Sequence, residues 1–180
     1  MKILVTLILA LCMAPLPSTS TIKMQWDEDR KLTWADFKGT PDAGDSFVAS
    51  TNSGISFSFS YKVKSGKMTM DYDVQCNFYP ELSWYKPDLV TDYILKHEQT
   101  HFDISELYAR KLRKAMEETS FSNNPKEEVN ALYQKNETAR QQMQTKFDFD
   151  TDHSKNEPVE IQWRRFVAKE LKKYERWKLQ

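Results

Sequence analysis

The five residues His97-Glu98-Gln99-Thr100-His101 hold the densest chemical potential in this 180-residue sequence. Residues four apart on a helix share a face, with Cβ atoms about 5–6 Å apart. Two imidazoles so placed can converge on one ion, each nitrogen about 2.0–2.1 Å from zinc. Glu98, next to the first histidine, is turned to the flank of that face, where it reaches a water on the metal without taking a coordination position. The chemistry implied is Zn2+-assisted hydrolysis. The ion lowers the pKa of water to about 7, and Glu98 accepts the proton as a carbonyl is attacked, then returns one to the departing amine. As packing residues alone, two histidines and a glutamate on an inward face would bury three polar groups that each need partners. A metal meets that need in one step.

A catalytic zinc site takes three protein ligands and leaves one position for water. His153 is the one other histidine in the chain, and it is the expected third ligand. Glu106, Asp150 and Asp152 are the alternatives. Glu106 lies five residues past His101, about 140° around a helix, and is better placed to pair with Arg110 one turn on. Tyr108 is a candidate donor to the developing oxyanion, against the plainer reading of a core tyrosine with its hydroxyl at the edge. Asp103 and Asp152 are candidates to orient the ligand imidazoles, or else serve as surface or capping residues.

The elements that must position these residues follow from periodicity. A helix is predicted from Pro87 to about Glu118, with an inward stripe of Val90, Ile94, His97, His101, Ile104, Tyr108, Leu112 and Ala115. Asn124 and Pro125 start a second helix that ends near Lys146. Residues 147–156 read as polar and irregular, and a third helix runs from about Pro158 to Trp177. Before the helices the pattern is strand and turn. Ile55, Phe57, Phe59, Tyr61 and Val63 alternate with polar residues, as do Met68, Met70, Tyr72, Val74, Cys76 and Phe78. Lys64-Ser65-Gly66-Lys67 forms the turn between them. Phe47 to Thr51 is a third strand, and Trp26 to Gly39 is aromatic and turn-rich. The fold class is therefore α+β: an antiparallel sheet followed by three helices, the first of them a zincin-like active-site helix.

Lys2, the apolar run Ile3 to Met13, helix-breaking Pro15 and Pro17, and the small residues Ser18-Thr19-Ser20 compose a signal peptide over residues 1–20. Residues 21–180 form a single domain, secreted or periplasmic. Retention by an uncleaved signal, or lipid anchoring at Cys12, is the alternative. The apolar run is too short to span a bilayer, and the mature chain has no transmembrane segment. Loss of residues 1–20 leaves Cys76 alone on the apolar face of a strand, so no intramolecular disulfide forms and packing must supply stability. With 39% hydrophobic and 13% aromatic residues the chain has the material for a core. A formal net charge of zero argues against a dedicated nucleic-acid binder. The locally basic last helix, with Arg164, Arg165, Lys169, Lys172 and Lys173 interspersed with Glu170 and Glu175, reads as a solvated face.

The stretches Leu32-Thr33-Trp34-Ala35-Asp36-Phe37-Lys38-Gly39-Thr40-Pro41, His97 to Ile104, Glu106 to Arg110 and Phe147 to His153 resemble a family of bacterial proteins of unknown function described as predicted secreted zinc-dependent proteases. The likeness runs from about Trp26 to Trp163. It implies His97, His101 and His153 as ligands, Glu98 as the base, and a peptide or protein as substrate. Two positions depart from the family pattern: Phe147 stands where tyrosine is usual, and Ser154 where glycine is. By analogy with other helix-motif metallopeptidases, a sheet edge beside the helix would hold an extended substrate. Two rivals have other uses for the same residues. One is a non-catalytic extracellular module in which zinc ties the first long helix to residues 147–156. The other is a zinc amidase acting on a cell-wall amide.

Overall fold

The computed structural model describes residues 22–41, 44 and 46–179; the expected signal segment, residues 1–20, lies outside them. The fold is α+β, a small antiparallel sheet and three helices around one hydrophobic core. Strand β3 (Ser53–Lys64) and strand β4 (Lys67–Phe78) form the expected hairpin, and β1 (Met24–Gln25) adds to the other edge of β4 at Phe78 and Asn77. Alternation sets the register. Ile55 faces Cys76 and Phe57 faces Val74, all on the core side. Gly66, with φ of +75°, takes the left-handed turn position that the sequence assigns to it.

The expected third strand shrinks to β2 (Ala49–Ser50) and does not join the hairpin. It pairs instead with β5 (Trp84–Tyr85) in a second, two-stranded sheet. The turn-rich segment before it locks this small sheet in place. Trp34 stacks on Tyr85 at 4.9 Å, and the Gly39 N–H donates to the Ser83 carbonyl at 2.8 Å. A Cβ at position 39 would stand 2.9 Å from that oxygen, so only glycine permits the approach.

Helix α1 (Asp92–Glu118) begins later than the periodicity predicts. Pro87–Leu89 is a separate 3-10 turn, and the Thr91 side chain caps α1 by accepting from the Ile94 N–H at 3.3 Å. Its expected one-sided stripe is too narrow. His97, Ile104, Tyr108 and Leu112 are buried as expected, but so are Glu98, Thr100, Ser105, Glu106, Ala109, Arg110 and Arg113. The hairpin, α2 and α3 (Glu157–Lys173) all pack on α1, so it is the central element rather than a surface one.

Helix α2 (Pro125–Thr151) runs on past Lys146 through residues expected to be irregular. Fully buried Phe147 anchors the extra turn in the core, and the Thr151 hydroxyl donates to the Phe147 carbonyl at 2.7 Å. Tertiary burial here overrides the polar composition of Asp148, Asp150 and Asp152. The helix ends at Asp152, which takes the left-handed conformation.

Candidate metal centre

The geometry starts with α1. His97 and His101 project from adjacent turns with their Nε2 atoms 3.2 Å apart. The extra turn of α2 brings Asp148 opposite them, its Oδ1 at 3.2 Å from His97 Nε2 and 2.9 Å from His101 Nε2. Ligand atoms about 2.0–2.1 Å from a tetrahedral ion stand about 3.3 Å from one another, and all three spacings lie near that value. Among the described residues these three form the group of His, Cys, Asp and Glu side chains with the spacing to hold a metal ion.

The opposite nitrogens are held by a second ring of residues. His97 Nδ1 donates to Glu160 Oε2 at 3.1 Å, and Tyr93 donates its hydroxyl to the same oxygen at 3.2 Å. His101 Nδ1 donates to Gln144 Oε1 at 2.5 Å. The Gln144 amide nitrogen donates in turn to the His101 carbonyl at 2.9 Å, which fixes the side chain's orientation. With Nδ1 so engaged on both rings, Nε2 is the atom each presents to Asp148. Phe147 backs the pair, stacked on His97 at 4.5 Å and edge-on to His101 at 5.1 Å. Phe147 thus has a packing role at the site.

Charge is unbalanced at this point. Glu98 and Glu160 are buried, and Glu98 Oε2 and Glu160 Oε1 have no hydrogen-bond partner. With Asp148 they put three carboxylates around two imidazoles, and one guanidinium, that of Arg164, stands 4.0 Å from Glu160 Oε1. The protein answers with protons. His97 is pushed up to about 9: burial opposes its charge, but hydrogen bonds to Asp148 and Glu160 outweigh burial. Asp148 is held well below the usual carboxylate range, since hydrogen bonds from His101 and His97 outweigh its own burial. A divalent cation suits this donor set: two nitrogens, a carboxylate oxygen and excess negative charge.

A cavity of about 490 Å³ opens over the group. Its floor is Ile94, His97, Glu98 and His101, one wall is residues 47–53, and the other is α2 from Arg140 to Asp148. His153 and Ser154 lie at its rim.

The expected site residues separate under this geometry. His97, Glu98 and His101 come together. His153 stops one step short: its Nδ1 is 3.9 Å from Asp148 Oδ1, it is 44% exposed, and its ring packs on Phe47 at 4.7 Å. Asp148 takes the place expected for His153 in the three-residue group. Three consecutive left-handed residues, Asp152, His153 and Ser154 (φ 47°, 50° and 69°), turn His153 toward the rim. That conformation is relaxed for glycine and strained for a residue with a side chain, here Ser154.

The remaining candidates lie away from the group, and for Glu106, Tyr108 and Asp152 the plainer of the two expected roles holds. Tyr108 does not line the cavity, because seven residues along a helix is a translation of about 10.5 Å. Its ring lies under the Lys111 ammonium at 4.3 Å instead. Asp103 orients no imidazole; it accepts from Trp26 Nε1 at 2.7 Å and Gln99 Nε2 at 2.8 Å. Asp150 pairs with Lys146 and Trp163, and exposed Asp152 closes the helix. Glu106 pairs with Arg110 at 2.9 Å, the partner the spacing suggests. Asp148, Gln144 and Glu160 are the additions. Gln144 and Asp148 are four apart, the spacing of one helix face.

Gln99 joins the two motifs: its Oε1 accepts from the Leu32 N–H at 2.7 Å, while its amide holds Asp103. A family model described as "Bacterial protein of unknown function (DUF922)" matches residues 29–154, which takes in both. Neither the curated proteins nor the solved structures contain a match to the chain.

Proposed function

The chain belongs to the DUF922 family of bacterial proteins of unknown function, and on that premise we propose that it is a secreted or periplasmic zinc-dependent hydrolase that cleaves peptide bonds. The supporting observation is the compact, electron-rich group of His97, His101 and Asp148 at the base of a cavity that also holds Glu98. Zinc held by these three residues would polarise a substrate carbonyl and acidify water. His97 and His101 present Nε2 because Glu160 and Gln144 engage Nδ1. Glu98, buried and with Oε2 unpartnered, accepts a proton from the attacking water and delivers it to the leaving amine. Tyr108 has no part in this reading.

The wall formed by β2 suits an extended substrate. The Val48 carbonyl accepts from the Lys86 N–H, and the Asn52 N–H donates to Ser83 Oγ, both on the β5 side. Alternation along a strand turns the backbone groups of Ala49 and Thr51 to the other edge, where a peptide could pair with them.

A second reading rests on His153. If it joined Asp148 on the metal, four protein ligands would close the site and make it structural. A buried Glu98 on the cavity floor has no use in such a site. Metal analysis of the purified protein by elemental mass spectrometry is the test, with His97→Ala, Asp148→Ala and His153→Ala beside it. About one zinc per chain, lost in the first two variants and kept in the third, is expected. Zinc lost equally in all three would favour the closed site, and no zinc in the parent after loading would overturn the proposal. Peptide and cell-wall amide substrates, each with a Glu98→Gln control, then separate peptidase from amidase.

A further inference from the structure

The β3–β4 ribbon outruns the elements that cover it. Tyr133 stacks on Phe57 at 4.4 Å, and the last rung with both side chains packed against the core is Phe59 opposite Tyr72, whose hydroxyl donates to the Arg113 carbonyl at 3.2 Å. Beyond it come Tyr61 opposite Met70 and Val63 opposite Met68: Met70 still touches the core and Met68 is half-buried, while Tyr61 is 48% and Val63 60% exposed. Strand alternation places these four apolar residues on one face. On the other face Lys62 and Lys64 are exposed, and Lys67 pairs with Lys64 in register. From Lys62 to Met70 the sequence carries three lysines and no carboxylate. Asp71 and Asp73 appear only on the way back to the body of the protein, so the ribbon is basic at its tip and acidic at its base.

We propose that the outer half of this hairpin docks on an anionic phospholipid surface. Its apolar face would lie in the boundary between headgroups and acyl chains, with the lysine ammonium groups at the phosphates. Lysines on exposed strands also discourage edge-to-edge pairing, but that role accounts neither for the apolar face nor for the ordering of charge. Two ribbons packed through their apolar faces would bury the apolar residues but leave both sets of lysines outward, with no counter-charge. An anionic bilayer satisfies both faces, each lysine adding a factor of about five to binding. The inference is independent of the metal site.

A nitroxide on Val63→Cys, in the full chain carrying Cys12→Ser, reads the depth of the tip itself, whatever residues 1–20 do. Cys76 is buried and escapes labelling. On vesicles of phosphatidylglycerol and phosphatidylcholine the label should gain accessibility to oxygen and lose it to a water-soluble nickel complex. A label on Asp73→Cys, at the base of the polar face, should stay in water. Lys62→Glu with Lys64→Glu should raise the lipid concentration needed for the half-maximal signal roughly 25-fold or more, with the melting temperature unchanged. A position-63 label that stays in water on anionic vesicles overturns the proposal. So does equal burial on phosphatidylcholine alone, or protection that grows with protein concentration without lipid, which would identify a second copy as the partner.

Discussion

Helix α1 buries charge twice, and the two places are built on opposite plans. Around residues 106–113 the carboxylate of Glu106 meets two guanidiniums, Arg110 Nε at 2.9 Å and Arg113 Nη1 at 3.1 Å. Arg110 also donates to Glu175 and to the Leu171 carbonyl, and Arg113 to the carbonyls of Val74 and Trp177. That cluster carries its own counter-charge and ties α1 to the hairpin and the C-terminal turn. Around residues 97–101 carboxylates outnumber cations: two buried oxygens have no hydrogen-bond partner, the Arg164 guanidinium reaches Glu160 Oε1 only at 4.0 Å, and a proton on His97 offsets part of the remainder. Burial of charge by itself therefore does not mark a functional centre. Burial left incomplete, beside a cavity, is what singles out residues 97–101 as the candidate centre.

Substitutions should separate the two ends cleanly. Glu98→Gln is expected to lower hydrolysis by roughly 100- to 10,000-fold, the usual share of a general base, while zinc content and melting temperature hold. Turnover and metal analysis on one preparation check this. Arg110→Ala should do the reverse. Removing one partner of a buried pair destabilises by about 3–5 kcal/mol, measurable by denaturant unfolding, whereas the variant that remains folded should still bind one zinc. Glu160→Gln, which weakens the hold on His97 Nδ1, should lower zinc affinity by roughly 10- to 100-fold without emptying the site at saturation; a competition titration against a chelator reads it.

The pH response sharpens the contrast further. His97 rises from 6.5 to about 9 in the metal-free protein. Its stabilisation is therefore full below pH 6.5 and is lost as pH climbs toward 9. Zinc requires the ring deprotonated, so the zinc-saturated protein should melt at a constant temperature across that window while the metal-free protein melts lower with rising pH. Parallel curves would rule out His97 as a ligand. The smallest effect is expected from Tyr108→Phe, which should leave turnover unchanged because that ring sits two helical turns from the imidazoles.

Much of the scaffold was legible because it repeats at short range. Period-two alternation defines the hairpin and its register down to Phe57 opposite Val74. The His97–His101 spacing puts both imidazoles on one face as soon as a helix is recognised. Asp148 was hidden by a boundary: with α2 ended at Lys146, residues 148, 150 and 152 are equivalent loop carboxylates. Extending the helix by one turn puts Asp148 on the face of Gln144 and turns Asp150 toward Lys146 and Trp163. Glu160 had a weaker local sign, its place with Trp163 and Val167 on the inward side of α3, but its partner lies 63 residues away and nothing nearby in sequence names it. Tyr108 was misplaced for the opposite reason, since angular agreement around a helix says nothing about distance along it.

The contact between His97 and Glu160 bears on where the working unit ends. The family match stops at residue 154, yet α3 begins after that point and supplies the carboxylate that holds the first histidine, while Leu171 and Trp177 receive the guanidiniums of Arg110 and Arg113. A fragment cut at the edge of the shared segment would keep every residue of the His97–Asp148 group and lose the brace behind it. For expression, grafting or domain exchange, the transferable module is the stretch through Trp177, not the segment by which its relatives are recognised.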